Sequence, residues 1–181
     1  AQHQQPDQPF GRHVGARDAL SLLDQVIFNI LVANTDAHAK NYSLILPIAA
    51  IRGEGTSNDY LPPEVPALPA FALQRAVSTM IRDLGHDYWT GTVYTTNRRV
   101  WEHDEAFKEY LRKTRCMAID METATIFAAG FHNSIPSGAL LLVSDQPMIP
   151  EGVKTEASDK VVTTNFVQRH IEIGIEALKL I

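Results

Sequence analysis

Asp145 closes the run Leu141-Leu142-Val143-Ser144-Asp145, so a carboxyl directly follows a short apolar segment. An acid at the end of a buried strand sits where open α/β sheets place their ligands. Protonated, it can donate to a leaving group; ionised, it can stabilise a cation; the plainer alternative is a helix cap. Ile119-Asp120-Met121-Glu122 puts two carboxylates where an apolar run meets the start of a helix. A carboxylate there can accept two sugar hydroxyls, and the positive helix end favours its charge; the alternative is an N-terminal cap. Gly91–Trp101 (GTVYTTNRRVW) collects hydroxyls, the Asn97 amide, two arginines and Trp101 at the end of an alternating segment. That mixture can hold a heterocyclic base, or form a surface loop steadied by its Trp. In Arg52-Gly53-Glu54-Gly55-Thr56-Ser57-Asn58 the glycines let backbone approach an anion or a sugar closely; a plain turn reads equally well.

A further stretch, Asn34-Thr35-Asp36-Ala37-His38-Ala39-Lys40-Asn41, spaces an Asp and an Asn five residues apart. In phosphoryl transfer such an Asp orients and deprotonates the attacking hydroxyl while the Asn holds magnesium. The alternative is a polar turn ending a helix, with Asp36 and Asn41 bonded to backbone. His86, His103, His132 and His170, four of the seven histidines, are scattered and show no metal-ligand spacing, so no metal is expected. Cys116 is the only cysteine, which excludes an internal disulfide framework and a cysteine-based zinc site.

These residues need elements to position them. A helix is expected over 17–33, with Leu20, Leu23, Ile27, Ile30 and Leu31 on one face, and a buried strand over 43–51 despite Pro47. Residues 61–69 carry four prolines and must be extended. A helix over 70–84 aligns Leu73, Val77, Met80, Ile81 and Leu84 and stops at Gly85. A strand follows over 88–94, then a short helix to Arg112 capped by Asp104. Short apolar runs at 116–119 and 139–143 read as central strands, with an Ala-rich helix over 121–132 between them. A last helix over about 160–180 groups Val162, Phe166, Val167, Ile171, Ile175 and Leu178. Alternation of strand and helix gives an α/β class with a mostly parallel sheet flanked by helices, plus an N-terminal helical appendage.

The chain has 181 residues, 45% of them hydrophobic and 20% charged, and a formal net charge of −5. That is the balance of a folded domain and not of a disordered one. The acidic total argues against a nucleic-acid partner, which would need a basic face. No apolar run is long enough to span a bilayer, and residues 1–10 lack the pattern of a secretory signal. A cytoplasmic protein acting on a small molecule is the expectation.

Taken together, GTVYTTNRR, AIDMETATIFA and LLLVSDQPMIPEGVKT resemble the nucleoside phosphorylase and nucleosidase superfamily, and within it the AMP nucleosidase family, from about residue 46 to 181. The resemblance implies a phosphorylase/nucleosidase-type fold, present in part, and hydrolysis of AMP to adenine and ribose 5-phosphate without a cofactor. It implies that Asp145, supported by Ser144, protonates the purine, and that Glu122 holds the ribose hydroxyls with Met121 against the sugar face. Arg52, Thr56 and Ser57 would lie near the sugar and phosphate, Asn97 to Trp101 near the base, and Lys154 on the 5′-phosphate. Members of the family are usually homo-oligomers. The family's first half has no counterpart here. In its place NTDAHAKNYSLIL, within residues 17–46, resembles the catalytic loop of HipA-like serine/threonine kinases, which would make Asp36 a base and Asn41 a metal ligand. The chain so reads as two parts, 1–46 and 47–181. The competing functions are a catalytically inactive module that binds adenine nucleotides or only oligomerises, and a kinase fragment.

Overall fold

The computed structural model describes residues 44–148, 160 and 163–181. The expected helix over 17–33, the segment with Asp36 and Asn41, and Lys154 all lie outside the described residues. Among the described residues four strands form one sheet: β1 (Leu44–Gly53), β2 (Tyr88–Thr96), β3 (Ala118–Asp120) and β4 (Leu141–Leu142), in the order β3-β2-β1-β4. β1 and β3 both run parallel to β2, while β4 runs antiparallel to β1. The flanking helices are α1 (Phe71–Asp83), α2 (Glu105–Thr114), α3 (Thr123–His132) and α4 (Gln168–Leu178). The fold is α/β, with a mixed, mostly parallel curled sheet and helices around it. No helix among the described residues is long and apolar enough to cross a membrane.

Pro47 illustrates how the sequence is accommodated. It has no N–H for the ladder, and the pairing of β1 with β2 slips there, passing from Pro47 to Ala49 and leaving Ile48 out. Ile48 turns to solvent while Pro47 is buried and its carbonyl accepts from Gln74 Nε2 of α1. Beyond the bulge, Val93 and Tyr94 of β2 point to opposite faces, as successive strand residues must. Val93 packs with Ile45, Ala50, Leu141 and with Ala124 and Phe127 of α3. Tyr94 packs with Phe107 and Leu111 of α2. A third cluster joins Ile81 of α1, Leu140 and Ile173 of α4. Phe127 is fully buried. Phe127→Ala is therefore expected to lower the unfolding free energy by about 3–5 kcal/mol, read from urea denaturation.

Helix ends follow local chemistry. Asp104 Oδ1 accepts from Phe107 N at 2.9 Å and starts α2 as expected. Gly85, with φ +73°, takes the left-handed position just past α1. Three expectations fail. The runs at 116–119 and 139–143 form β3 and β4, which among the described residues are the two edges of the sheet and not central strands. Leu84 and Ile175 are exposed. The buried side of α4 is His170, Ile173, Gly174 and Ala177, an i, i+3, i+4, i+7 spacing rotated by about one residue from the stripe read in the sequence. His170 Nε2 pairs with the Leu140 carbonyl at 2.8 Å, which is how a polar residue enters that face. Burial holds its pKa below the usual imidazole value, so it is neutral there.

Candidate active site

The loop after β1 is organised by one side chain. Arg52 donates from Nε to Ser57 Oγ at 2.8 Å, from one terminal nitrogen to the Pro62 and Val65 carbonyls, and from the other to Asn58 Oδ1 and the Leu61 carbonyl. A guanidinium has five N–H groups, and all five are used. Ser57 is completely buried inside this arrangement, whereas Thr56 is exposed. Arg52 and Ser57, expected near sugar and phosphate, are thus engaged in shaping the loop, and Arg52 has no donor left for an anion.

Between them lies a residue that reasoning from sequence did not single out. Glu54 is 7% exposed, and its Oε1 accepts from Ser57 N at 2.9 Å and from Thr125 Oγ1 of α3 at 2.8 Å. Burial pushes its pKa up, but the bonds from Ser57 and Thr125 outweigh this and leave it below the usual carboxylate value. Its Oε2 is buried with no hydrogen-bond partner. Leaving such a charged oxygen bare costs about 1–3 kcal/mol or more.

At the start of α3 the two acids of Asp120-Met121-Glu122 divide their tasks. Asp120 Oδ1 accepts from Thr95 Oγ1 at 2.7 Å, and Thr95 Oγ1 in turn accepts from Ala124 N at 2.9 Å. Asp120 Oδ2 takes the Thr123 N–H and hydroxyl. Asp120 is the capping carboxylate, and burial still raises its pKa. Glu122 is left half-buried with its Oε2 accepting only from Met121 N at 3.1 Å. Its pKa is raised by burial, against the Met121 bond and with the help of the Asp120 charge. Met121 is exposed beside it.

Asp145 does not reach a sheet end in the expected way, because β4 is antiparallel to β1. What lies near it is the loop after β2. Trp101 and Met148 join the Tyr94–Phe107 cluster, and Glu102 is close enough for its charge to act on Asp145. Burial drives the Asp145 pKa up to about 7, opposed by the Ser144 hydroxyl and aided by Glu102. Ser144 is buried, and its Oγ makes no hydrogen bond of normal geometry, so its pull on Asp145 is a near approach and not a formed bond.

Asn97 is exposed at the rim of a hollow of about 520 Å³ whose wall includes Gly53, Tyr94, Asp104, Phe107 and Tyr110. Arg98 in the same wall is paired with Asp104 at 2.8 Å and lies 4.5 Å over the Phe107 ring. Trp101 stands edge-on to Phe107, which is the steadying role. Among the described residues no group of three His, Cys, Asp or Glu side chains could hold a metal ion.

The pattern of the Phosphorylase superfamily matches residues 29–179. The chain belongs to that superfamily. This phosphorylase-superfamily chain is 32% identical over 146 residues to the AMP nucleosidase of Escherichia coli (strain K12), a match over 76% of the chain and 30% of that relative. It is 26% identical over 150 residues to the uridine phosphorylase of Treponema pallidum (strain Nichols), covering 77% of the chain and 56% of the relative. A solved AMP nucleosidase from Bacteroides thetaiotaomicron VPI-5482 superposes with a TM-score of 0.67 at 48% identity, over 92% of this chain and 68% of that one. The chain thus spans about a third to a half of the length of these curated relatives. The superfamily match begins at residue 29 and runs through Asp36 and Asn41, so the kinase-like reading of that segment has no support.

Proposed function

We propose that this chain is a purine nucleotide N-glycosidase that hydrolyses AMP to adenine and ribose 5-phosphate. The observation that carries the reading is Asp145, a carboxyl whose pKa of about 7 leaves a substantial protonated fraction at neutral pH. Cleavage of a glycosidic bond needs the base made into a better leaving group, and an acid with that pKa can supply the proton. As the bond stretches, its electrons move onto the purine ring nitrogen that held the sugar, and Asp145 protonates another ring nitrogen, so adenine leaves neutral. Ser144 steadies the carboxyl. Glu122 takes two ribose hydroxyls and, as charge builds on the sugar, its carboxylate stabilises the oxocarbenium-like state. Met121 covers the sugar face, and Asn97 and Trp101 edge the base. With the Arg52 donors consumed, Lys154 is the residue we assign to the 5′-phosphate, with Thr56 at the sugar end.

Phosphorolysis is the neighbouring reading, favoured by the uridine phosphorylase relative. The test is chromatography of AMP incubated with the chain, with and without inorganic phosphate. The expected result is adenine and ribose 5-phosphate at a rate independent of phosphate. Ribose 1,5-bisphosphate appearing with phosphate would make the chain a phosphorylase. Binding of AMP without release of adenine would make it an inactive nucleotide-binding module.

A further inference from the structure

The geometry points to Glu54 Oε2 as the acceptor that orients the attacking water, which makes the loop after β1 a hydrolytic loop and not a phosphate cradle. The inference rests on the N-glycosidase reading above. A superfamily that includes both a nucleosidase and a phosphorylase must set the nucleophile by what the protein offers it. Phosphate needs cations and free N–H donors. Water needs an acceptor, and a nearby anion keeps phosphate out.

The loop offers the second kind of site. Its one arginine has no donor left, because Ser57, Asn58, Leu61, Pro62 and Val65 take all five. Ser57 N is spent on Glu54 Oε1. What remains is an anion with one oxygen held and the other bare. The held oxygen fixes the direction of the bare one, because two donors from different elements, Ser57 N and Thr125 Oγ1, grip it. Thr125 lies three residues after Glu122. Glu54 therefore meets α3 in the first turn, which opens at Glu122, the carboxylate assigned to the ribose and the N-cap residue of the helix.

The step balances. The water oxygen bonds to the ribose anomeric carbon as the bond to the purine nitrogen breaks, and the breaking pair stays on adenine. Asp145 gives its proton to the purine, and the proton lost by water passes to Glu54. Exchange of both with solvent restores the starting state.

Glu54→Gln tests this, since the amide oxygen can keep both bonds to Ser57 and Thr125 while the bare oxygen becomes an NH₂ donor. The expected result is a fall in kcat for adenine release from AMP of about 100-fold, with KM little changed. A crystal structure of the unaltered chain should also show a water within hydrogen-bond distance of Glu54 Oε2. This readout stands even if the variant fails to fold. A folded Glu54→Gln chain within threefold of the parent, or no water at Oε2, overturns the role of Glu54 and leaves the nucleosidase reading intact. Ribose 1,5-bisphosphate made by the parent chain overturns the hydrolytic assignment of the loop. Absence of adenine release from folded parent overturns the N-glycosidase reading itself, and the water site falls with it.

Discussion

Asp145→Asn is expected to lower kcat for adenine release by about 10²–10⁴-fold, the usual contribution of a positioned general acid. Asparagine keeps the shape of the side chain but cannot give a proton. The parent chain should lose activity as pH rises through about 7, where burial, set against Ser144 and reinforced by Glu102, places the Asp145 pKa. In the variant that limb of the pH–rate profile should vanish. Stability supplies an independent check. A carboxyl whose folded pKa is raised stabilises the fold fully below its ordinary value of 3.8, and this contribution is lost as pH rises towards about 7. The Asn variant should therefore resist urea better than the parent at pH 8, with the difference closing as pH falls from 7 towards 4. A variant that keeps parental kcat would remove Asp145 from the chemistry.

Glu122→Ala should cost about 10²–10⁴-fold in kcat/KM for AMP, since two charge-assisted hydrogen bonds of about 1.5–3 kcal/mol each would be lost. The loss should fall mainly on kcat, because the ribose becomes cationic only near the transition state. Capping of α3 should survive, as Asp120 and not Glu122 accepts the Thr123 N–H. Circular dichroism and the urea midpoint should so stay near parental values. A cost shared equally between activity and unfolding would assign Glu122 to the helix and not to the sugar.

The elements that local rules govern were readable in the sequence. α1 stops before Gly85 and α2 starts at Asp104, because a glycine past the end and an acid at the start act within one turn. The α/β class followed from alternation. The neighbours of each strand did not, because the short runs at 118–120 and 141–142 encode burial without encoding how many strands flank them. The stripe on α4 was misplaced because its buried side includes His170 and Gly174, which do not count as apolar. At the site, Glu122 and Asp145 were legible as acids beside apolar runs. Glu54 was not, because an acid between two glycines reads as solvated. Its burial comes from Thr125, 71 residues further on. Arg52 misled for the same reason, since the carbonyls that absorb its donors belong to a proline-rich stretch with no pattern that forecasts them.

That stretch has a mechanical character. Prolines at positions 62, 63 and 66 carry no N–H, so the span can add few backbone bonds of its own. One guanidinium ties five separate points of it to β1. Ser57 through Val65 is then held chiefly through Arg52, with Glu54 gripping Ser57 N and His132 against Tyr60, so the span opens or stays shut as one cooperative piece.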